Sequence, residues 1–367
     1  MGETNKKACF SHGTQDIESQ LHALGERSGC VRLPAAQYML ESTIRLDRPC
    51  IRLEGEVWAY SADPNGVFES QYGTQLRLKG HGFPALSVGI THTAEGCVVR
   101  NLGIQGDIAG MDTRLLLNLR DPLADAGLAL AHARVDQAEF SKISFCGLQC
   151  GICACDDAEV DACLFERLNV DGCAIGAYFA PRAAYYVRFH EWVAADNPYY
   201  GLYVNGKDRD NRRMEISKIQ FIRTGGAFEE KDGLIHAAVC LENVQTCIFR
   251  ENLIDDAGVF WYFPPDAVSN SAHETRVCRT VSFYLKGHDN TVADNVISCS
   301  HAEAMVVEGD RNILLNNAVD GDVRLKGNGN VVSGLIFTSR EARLILEGDE
   351  NQIWNVPENR VIRKGRQ

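Results

Sequence analysis

Short apolar runs separated by polar turns recur along most of the chain, and the stretch 176–200 shows the repeating unit. An apolar run at 177–179 meets a turn at Pro181, two further apolar pairs follow, and a polar corner at 195–198 leads to the next glycine. Runs this short, bounded by Gly, Pro, Asn and Asp, predict strands rather than helices. We interpret the unit as one coil of a solenoid.

Successive units open at nearly constant spacing, which predicts how the coils stack. Four openings are 24, 25 and 25 residues apart: Gly127, Gly151, Gly176 and Gly201. The same alignment continues, at less regular spacing, through Ala237, Val281, Met305, Val323 and Leu344. Coils of 18 to 25 residues with three short strands predict an all-β fold, a single-stranded right-handed parallel β-helix, with equivalent residues about 4.8 Å apart in neighbouring coils.

A second repeat supports this prediction near the C-terminus. A Gly-x-x-Asn turn recurs at 287–290, 309–312, 327–330 and 348–351. Asparagine side chains at one position of successive coils can satisfy each other's donors and acceptors, so we expect a structural ladder.

The N-terminal part departs from this regularity. Ile17, Leu21 and Leu24 have helical spacing within 16–27, and a solenoid needs such a cap over its first coil. Strands are then predicted at Val31–Leu33, Tyr38–Leu40, Thr43–Leu46, Cys50–Leu53, Gln75–Leu78 and Ala85–Val88. We predict one domain over 1–367, with a cap at 1–30, irregular first coils at 31–126 and regular coils at 127–355.

Three long insertions interrupt the repeat, at 106–126, 225–236 and 257–280. Each follows the last strand of one coil and precedes the first strand of the next. They should therefore project from one corner and form the walls of a cleft, where function is commonly placed on a rigid scaffold.

Composition narrows the possible functions and locations. A net charge of -12 argues against non-specific binding to nucleic acid or to an anionic membrane. The 14 cysteines occupy apolar strand positions, which favours reduced core thiols; a metal cluster at 146, 150, 153 and 155 has poor spacing. The N-terminus has no apolar leader pattern and no apolar run spans a bilayer, so the expected location is cytoplasmic.

Acidic residues gather at the corner from which the insertions leave. Stacking the coils aligns Asp171, Asp196, Arg223, Asp255 and Asp256 along one edge. Adjacent coils hold carboxylates about 5 Å apart and alternate coils about 10 Å apart, which brackets the spacings of retaining and inverting glycosidases. Aspartate is also common in tight turns for backbone reasons alone.

The candidate residues follow from this corner and its insertions. The catalytic candidates are Asp196, Asp255, Asp256, Glu230 and Asp232. The candidates for substrate binding are Tyr199, Arg223, His236, Trp261, Tyr262, His273 and Arg276. Aromatic rings can stack on sugar faces while charged groups pair with hydroxyls, so this set suits a saccharide. We expect no metal and no cofactor in the site.

The order of these parts resembles the pectin-lyase-like β-helix superfamily and, within it, glycoside hydrolase family 91, the inulin fructotransferases and difructose-dianhydride hydrolases. The resemblance rests on Asp63-Pro64-Asn65-Gly66, Pro84-Ala85, the excursion after 101–107, the insertion after 252–256 and GHDNTVADNVI at 287–297. It implies fructosyl transfer or hydrolysis by carboxylates without a metal, and a homotrimer with sites between subunits.

Three hypotheses remain open. The first is a glycoside hydrolase or intramolecular fructosyltransferase that acts on a fructan-derived oligosaccharide or difructose dianhydride through paired carboxylates. The second is a uronide lyase or epimerase, with Arg223, Arg276 or Tyr262 as base and Asp196, Asp255 and Asp256 holding calcium. The third is a non-catalytic β-helix that binds saccharides. None of the three predicts a nucleic-acid or membrane partner.

Overall fold

The computed structural model is a right-handed parallel β-helix, which confirms the predicted fold class. It describes residues 12–24, 28–58, 73–89, 94–106, 123–131, 134–154, 157–206, 211–225, 235, 237–262, 274–277, 280–299 and 303–364. Most strands belong to two long sheets, here called sheet A and sheet B, in which every pairing is parallel and joins one coil to a neighbouring coil. In this part of the chain, none of the helices has the length and apolar character needed to cross a bilayer.

Sheet A has 22 strands in the described part of the chain. They are His12–Gly13, Gly29–Leu33, Gln37–Leu40, Ile51–Gly55, Gln75–Leu78, Val98–Gln105, Glu139–Cys146, Leu164–Glu166, Asn169–Asp171, Arg188–His190, Val193–Ala195, Glu215–Ser217, Gln220–Ile222, Ile248–Arg250, Leu253–Ala257, Thr291–Ala293, Val296–Cys299, Ile313–Leu315, Ala318–Val319, Val331–Ser333, Ile336–Phe337 and Gln352–Trp354.

Sheet B has 17 strands among the described residues. They are Ile44–Leu46, Leu86–Val88, Ala94–Glu95, Ala126–Leu130, Arg134–Asp136, Cys150–Ala154, Glu159–Asp161, Ile175–Phe179, Ala183–Tyr185, Tyr200–Asn205, Asn211–Arg212, Ala237–Gln245, Val281–His288, Glu303–Glu308, Asp322–Lys326, Leu344–Glu347 and Val361–Lys364. A separate antiparallel hairpin pairs Val259–Tyr262 with Glu274–Val277.

The register confirms the glycine openings at 127, 151, 176 and 201. The residue after each glycine pairs with the residue after the next glycine: Leu128 with Ile152, Ile152 with Ala177, and Ala177 with Leu202. Glycine is required there by close approach. A methyl group on Gly176 would lie 2.3 Å from the carbonyl oxygen of Gly201, and one on Gly151 would lie 2.6 Å from that of Gly176.

Two details of the predicted repeat were wrong. The coil that begins at Cys150 has four short strands rather than three, since each sheet takes two of them. The later openings are also displaced. The pairing aligns Phe283 and Val239, which lie two residues after the predicted openings at 281 and 237, with Met305, Val323 and Leu344. The long insertions before these coils break the simple spacing.

The predicted asparagine ladder is confirmed. The Oδ1 of Asn312 accepts hydrogen bonds from the backbone nitrogen and the Nδ2 of Asn290, at 3.1 and 3.0 Å. Asn330 and Asn351 continue the column. A second ladder, which the sequence analysis missed, joins Asn252, Asn295 and Asn317 at 3.1 and 2.8 Å.

The interior of the coils is apolar and the first coil is capped. Phe140, Phe165 and Phe189 stack at centroid distances of 4.9 and 5.1 Å, one ring from each coil. The N-terminal helix spans Thr14–Ala23, two residues earlier at its start than predicted, and buries Ile17 and Leu21. Closing the end of the apolar core in this way removes an exposed strand edge.

Most of the described cysteines are buried in the coils, as predicted. Burial raises the pKa of Cys97 to about 11 and that of Cys163 to about 12. A thiol with such a raised pKa is a poor nucleophile and packs as a small apolar side chain.

Candidate active site

The three insertions leave the β-helix at one corner, which we call the insertion corner. They depart after the sheet A strands Val98–Gln105, Gln220–Ile222 and Leu253–Ala257, and the chain re-enters sheet B at Ala126, Ala237 and Val281. The backbone of Gly106 pairs with Cys146, and that of Arg223 with Asp255, so the departures stack. The last insertion contains the Val259–Tyr262 hairpin.

The charged residues at this corner form two neighbouring columns rather than the single edge that we predicted. Asp171 aligns with Ala195, Ile222 and Asp255 in the first column. Asp196 and Arg223 follow one residue later in the second column, together with Asp256. The reason is that Asp171 and Ala195 are 24 residues apart whereas the glycine openings of the same coils differ by 25, so the spacing misplaced Asp171 by one position.

The second column turns the chain at the corner. Asp196, Arg223 and Asp256 all have left-handed backbone conformations, with φ of 52°, 50° and 51°. A glycine stands at the equivalent position of the preceding coil, Gly172. Because many corners of this β-helix use the same conformation, the strain here is a feature of the turn and does not by itself mark catalysis.

Asp196 and Arg223 form a two-point ion pair across adjacent coils. Arg223 Nε donates to Asp196 Oδ1 at 2.7 Å and Nη2 donates to Oδ2 at 2.6 Å. Their side chains are 16% and 26% exposed, so the pair is shielded but reachable. The pairing raises the pKa of Arg223, with further contributions from the charges of Asp171 and Asp256. Arg223 therefore suits an orienting role and is disfavoured as the base of a lyase.

Asp171 has the most unusual electrostatics of the described carboxyls at this corner. Burial, and then the negative charge of Asp196, raise its pKa from 3.8 to about 7, while Arg223 acts in the opposite direction. A carboxyl group with a pKa near neutrality is protonated for much of the time and can serve as a general acid. Asp171 was predicted to lie at this corner but was not among the predicted catalytic residues.

Asp255 and Asp256 lie further along the corner and contact a serine of the next coil. Ser298 Oγ donates to Asp255 Oδ1 at 2.8 Å, and the backbone nitrogen of Asp256 donates to Ser298 Oγ at 3.3 Å. Asp255 is half-buried and Asp256 is exposed. Three coil steps separate Asp171 from Asp255, about 14 Å between backbones, so these two do not form a close pair.

The remaining candidates fall into three groups. Tyr199 is 6% exposed and belongs to an apolar cluster on the outer face of sheet B, so its ring lacks the accessible face needed for stacking on a sugar. Trp261, Tyr262 and Arg276 lie on the hairpin of the last insertion, for which the structure gives the backbone. Glu230, Asp232, His236 and His273 lie outside the described residues.

The arrangement supplies the parts of acid and carboxylate chemistry. Asp171, whose pKa is raised to about 7, lies one coil from Asp196, whose carboxyl group an arginine holds in place. Environments that separate the proton affinities of two nearby carboxyls are how acid and base roles are assigned in glycosidases. The burial that distinguishes Asp171 could not be recognised from residue spacing.

Comparison with known proteins gives a likeness of fold. No family model matches the chain, and no curated protein matches it by sequence. Among solved structures, it is similar to DFA-IIIase from Arthrobacter chlorophenolicus A6 without its lid, with a TM-score of 0.69, 14% identity, and 99% of this chain and 97% of that chain covered.

Two complexes of the same enzyme are also similar. The complex with GF2 has a TM-score of 0.69 at 14% identity, with 99% and 97% of the two chains covered. The complex with DFA-III has a TM-score of 0.67 at 14% identity, with 96% and 93% covered. The predicted resemblance to the inulin fructotransferase and difructose-dianhydride hydrolase group is thus confirmed at the level of the fold, over nearly the whole chain.

Proposed function

We propose that this protein is a carbohydrate-active enzyme, a glycoside hydrolase or intramolecular fructosyltransferase that acts on a fructan-derived oligosaccharide or a difructose dianhydride. The observation that carries the proposal is the carboxyl pair at the insertion corner. Asp171, with its pKa raised to about 7, lies beside the ion pair of Asp196 and Arg223.

The proposed mechanism assigns one task to each of these side chains. Asp171 gives its proton to the leaving oxygen as the bond from that oxygen to the anomeric carbon breaks. As that bond breaks, one carboxylate oxygen of Asp196 forms a bond to the anomeric carbon, and Arg223 orients the carboxylate through both of its oxygens. The two carboxyls belong to adjacent coils and are one residue out of register, since Asp171 pairs with Ala195. A retaining outcome, which we propose, requires carboxyl groups about 5–5.5 Å apart.

The second half of the reaction decides between hydrolysis and transfer. Asp171, now ionised, takes a proton from the incoming oxygen nucleophile as that nucleophile forms a bond to the anomeric carbon and releases Asp196. Water as the nucleophile gives hydrolysis. A hydroxyl group of the second sugar gives intramolecular transfer and closes a dianhydride ring.

The choice of substrate class is supported by the fold neighbours. DFA-IIIase has been solved with GF2 and with DFA-III, two small saccharides. At 14% identity the neighbours share a scaffold with this chain, so the sugar and the linkage belong to the proposal. No observation at the insertion corner favours the lyase or the non-catalytic hypothesis over this one.

The decisive experiment incubates the protein with inulin, difructose dianhydrides and oligogalacturonides and identifies the products. We expect turnover of a fructose-containing substrate, and a loss of at least a hundredfold in kcat for Asp171→Asn and Asp196→Asn. Asp161→Asn is the matched control, since Asp161 ends the strand Glu159–Asp161 of the same coil on sheet B. An unsaturated product from oligogalacturonides, or full turnover by both corner variants, would refute the proposal.

We also propose that the chain assembles as the homotrimer that the family resemblance implies, in the cytoplasm. Apolar side chains exposed on the outer face of sheet A support an assembly: Ile248, Val296, Ile313, Ile336 and Trp354. Exposed apolar side chains grouped on one face of a sheet are candidates for an association site. Light scattering coupled to gel filtration tests the state; a mass near 40.5 kDa, that of one chain, would contradict it.

A further inference from the structure

A histidine and two glutamates converge on the outer face of sheet A, at a different corner from the candidate active site. Glu166 and His190 are register partners in the strands Leu164–Glu166 and Arg188–His190 of adjacent coils, and Glu191 follows at the turn. One ligand atom from each of the three residues lies within 4.8 Å of the other two. His190 and Glu191 are 27% and 38% exposed, so the group is open to solvent on one side.

The surroundings of His190 fix which ring nitrogen is free. Nδ1 lies 3.0 Å from Ser217 Oγ, and Ser217 Oγ donates its proton to Glu215 Oε1 at 3.3 Å. Nδ1 is therefore engaged by Ser217, and Nε2, on the other side of the ring, is the nitrogen that faces Glu191. Arg250 holds Glu215 in turn, at 2.7 and 3.1 Å. Metal-binding histidines characteristically have their second nitrogen anchored in this way.

Glu191 is anchored in the same manner. Its Oε2 accepts a hydrogen bond from Arg167 Nε at 3.0 Å, and its Oε1 faces His190 Nε2. His190 Nε2 and Glu191 Oε1 thus face each other, each side chain being held from its other end.

The distance between these two atoms favours an ion between them. Nε2 and Oε1 are 3.4 Å apart, longer than the roughly 2.7–3.2 Å of an N–H···O hydrogen bond. In a tetrahedral site with metal–ligand bonds of about 2.1 Å, two neighbouring ligand atoms are separated by about 3.4 Å. The spacing therefore matches one edge of a zinc coordination tetrahedron.

We propose that Glu166, His190 and Glu191 bind a divalent transition-metal ion, with Zn²⁺ as the ion that best fits one imidazole nitrogen and two carboxylate oxygens. Calcium is disfavoured because it takes six to eight oxygen ligands. Three protein ligands leave the fourth position to water. Since Glu166 belongs to one coil and the other two ligands to the next, the ion links neighbouring coils, independently of the function proposed for the insertion corner.

The test is calorimetric titration of Zn²⁺ into the chelator-treated full chain, with thermal unfolding measured in parallel. We expect one ion per chain, a higher Tm with zinc, and binding at least tenfold weaker in His190→Gln and in Glu166→Gln. His288→Gln is the control, because His288 also contacts a carboxylate, Asp289, but Arg311 already occupies that carboxylate at two points. Circular dichroism of each metal-free variant establishes that it is folded.

Two results would overturn the proposal. The first is no zinc binding by the wild type, or equal binding by all variants. The second comes from Co²⁺ in place of Zn²⁺: intense near-ultraviolet thiolate-to-cobalt bands would assign the metal to cysteine thiolates instead. Ligation by nitrogen and oxygen gives weak visible bands and lacks those thiolate bands.

Discussion

Replacing Asp171 by asparagine should stabilise the protein while it removes the proposed acid. The pKa of Asp171 rises from 3.8 to about 7 on folding, mainly because the carboxyl is buried and then because Asp196 is near. A tenfold change in proton affinity corresponds to about 1.36 kcal/mol of free energy, so this rise in the pKa corresponds to about 4 kcal/mol. This is the order of the cost of holding an ionised Asp171 in the folded protein.

The sign of the pH dependence follows from which state binds the proton. Between pH 3.8 and 7 the folded chain keeps the Asp171 proton and the unfolded chain has lost it, so the stability contributed by this group falls as pH rises. The loss is complete above pH 7. Between pH 5 and pH 8.5, the wild type should lose about 3 kcal/mol of unfolding free energy through this group. Asp171→Asn should not show this loss.

The assay is urea or thermal unfolding of both proteins at several pH values. Unfolding entropies of about 2 cal/mol/K per residue convert 4 kcal/mol into a Tm difference of about 5 °C for a chain of this length. The test follows how the difference in unfolding free energy between the two proteins changes with pH. Any effect of the asparagine that does not depend on pH therefore cancels. Asp161→Asn, the control, should keep the wild-type fall with pH. A constant difference between wild type and Asp171→Asn across this range would refute the assigned environment of Asp171.

Two further substitutions test the forces that hold the coils together. Asn312→Ala should cost about 2–4 kcal/mol, because it removes the acceptor of the backbone nitrogen of Asn290 and one of the two acceptors of its Nδ2, which still donates to Val244. The exposed Asn316→Ala is the matched control, and similar urea midpoints for the two variants would contradict the ladder's role. Asp289→Asn should cost about 0.5–1 kcal/mol of unfolding free energy at pH 7, because Arg311 and then His288 lower the pKa of Asp289. This loss should shrink as the pH falls below about 4 or as the salt concentration increases. A loss that stays constant down to pH 2 would contradict the role of the ion pair.

The repeat could be predicted from the sequence wherever one residue type is required at a fixed position. Gly176 and its equivalents have no room for a side chain, so they mark the register directly. The ladder through Asn290 follows a Gly-x-x-Asn turn that is visible in the sequence. The second ladder had a usable signal as well, because Asn295 and Asn317 each come five residues after a member of the first ladder.

The candidate site was less predictable because it depends on offsets of one residue. The sequence brought Asp196, Arg223 and Asp255 to one corner, and the structure places them there. Whether Asp171 belongs to the column of Asp196 depends on one residue gained or lost within a coil. The raised pKa of Asp171 depends on burial by neighbouring coils, which no local pattern encodes.

The shared departure point of the three insertions has a consequence for how such a protein can diversify. Each excursion begins and ends at the same corner, and the coils before and after it keep their pairing, as those flanking 225–236 do. Lengthening a surface loop adds little entropic cost, since doubling its length costs only about 0.6 kcal/mol. This corner can therefore gain, lose or exchange segments over evolutionary time, while the asparagine ladders tie the turns that contain Asn290 and Asn295 to those of the next coil.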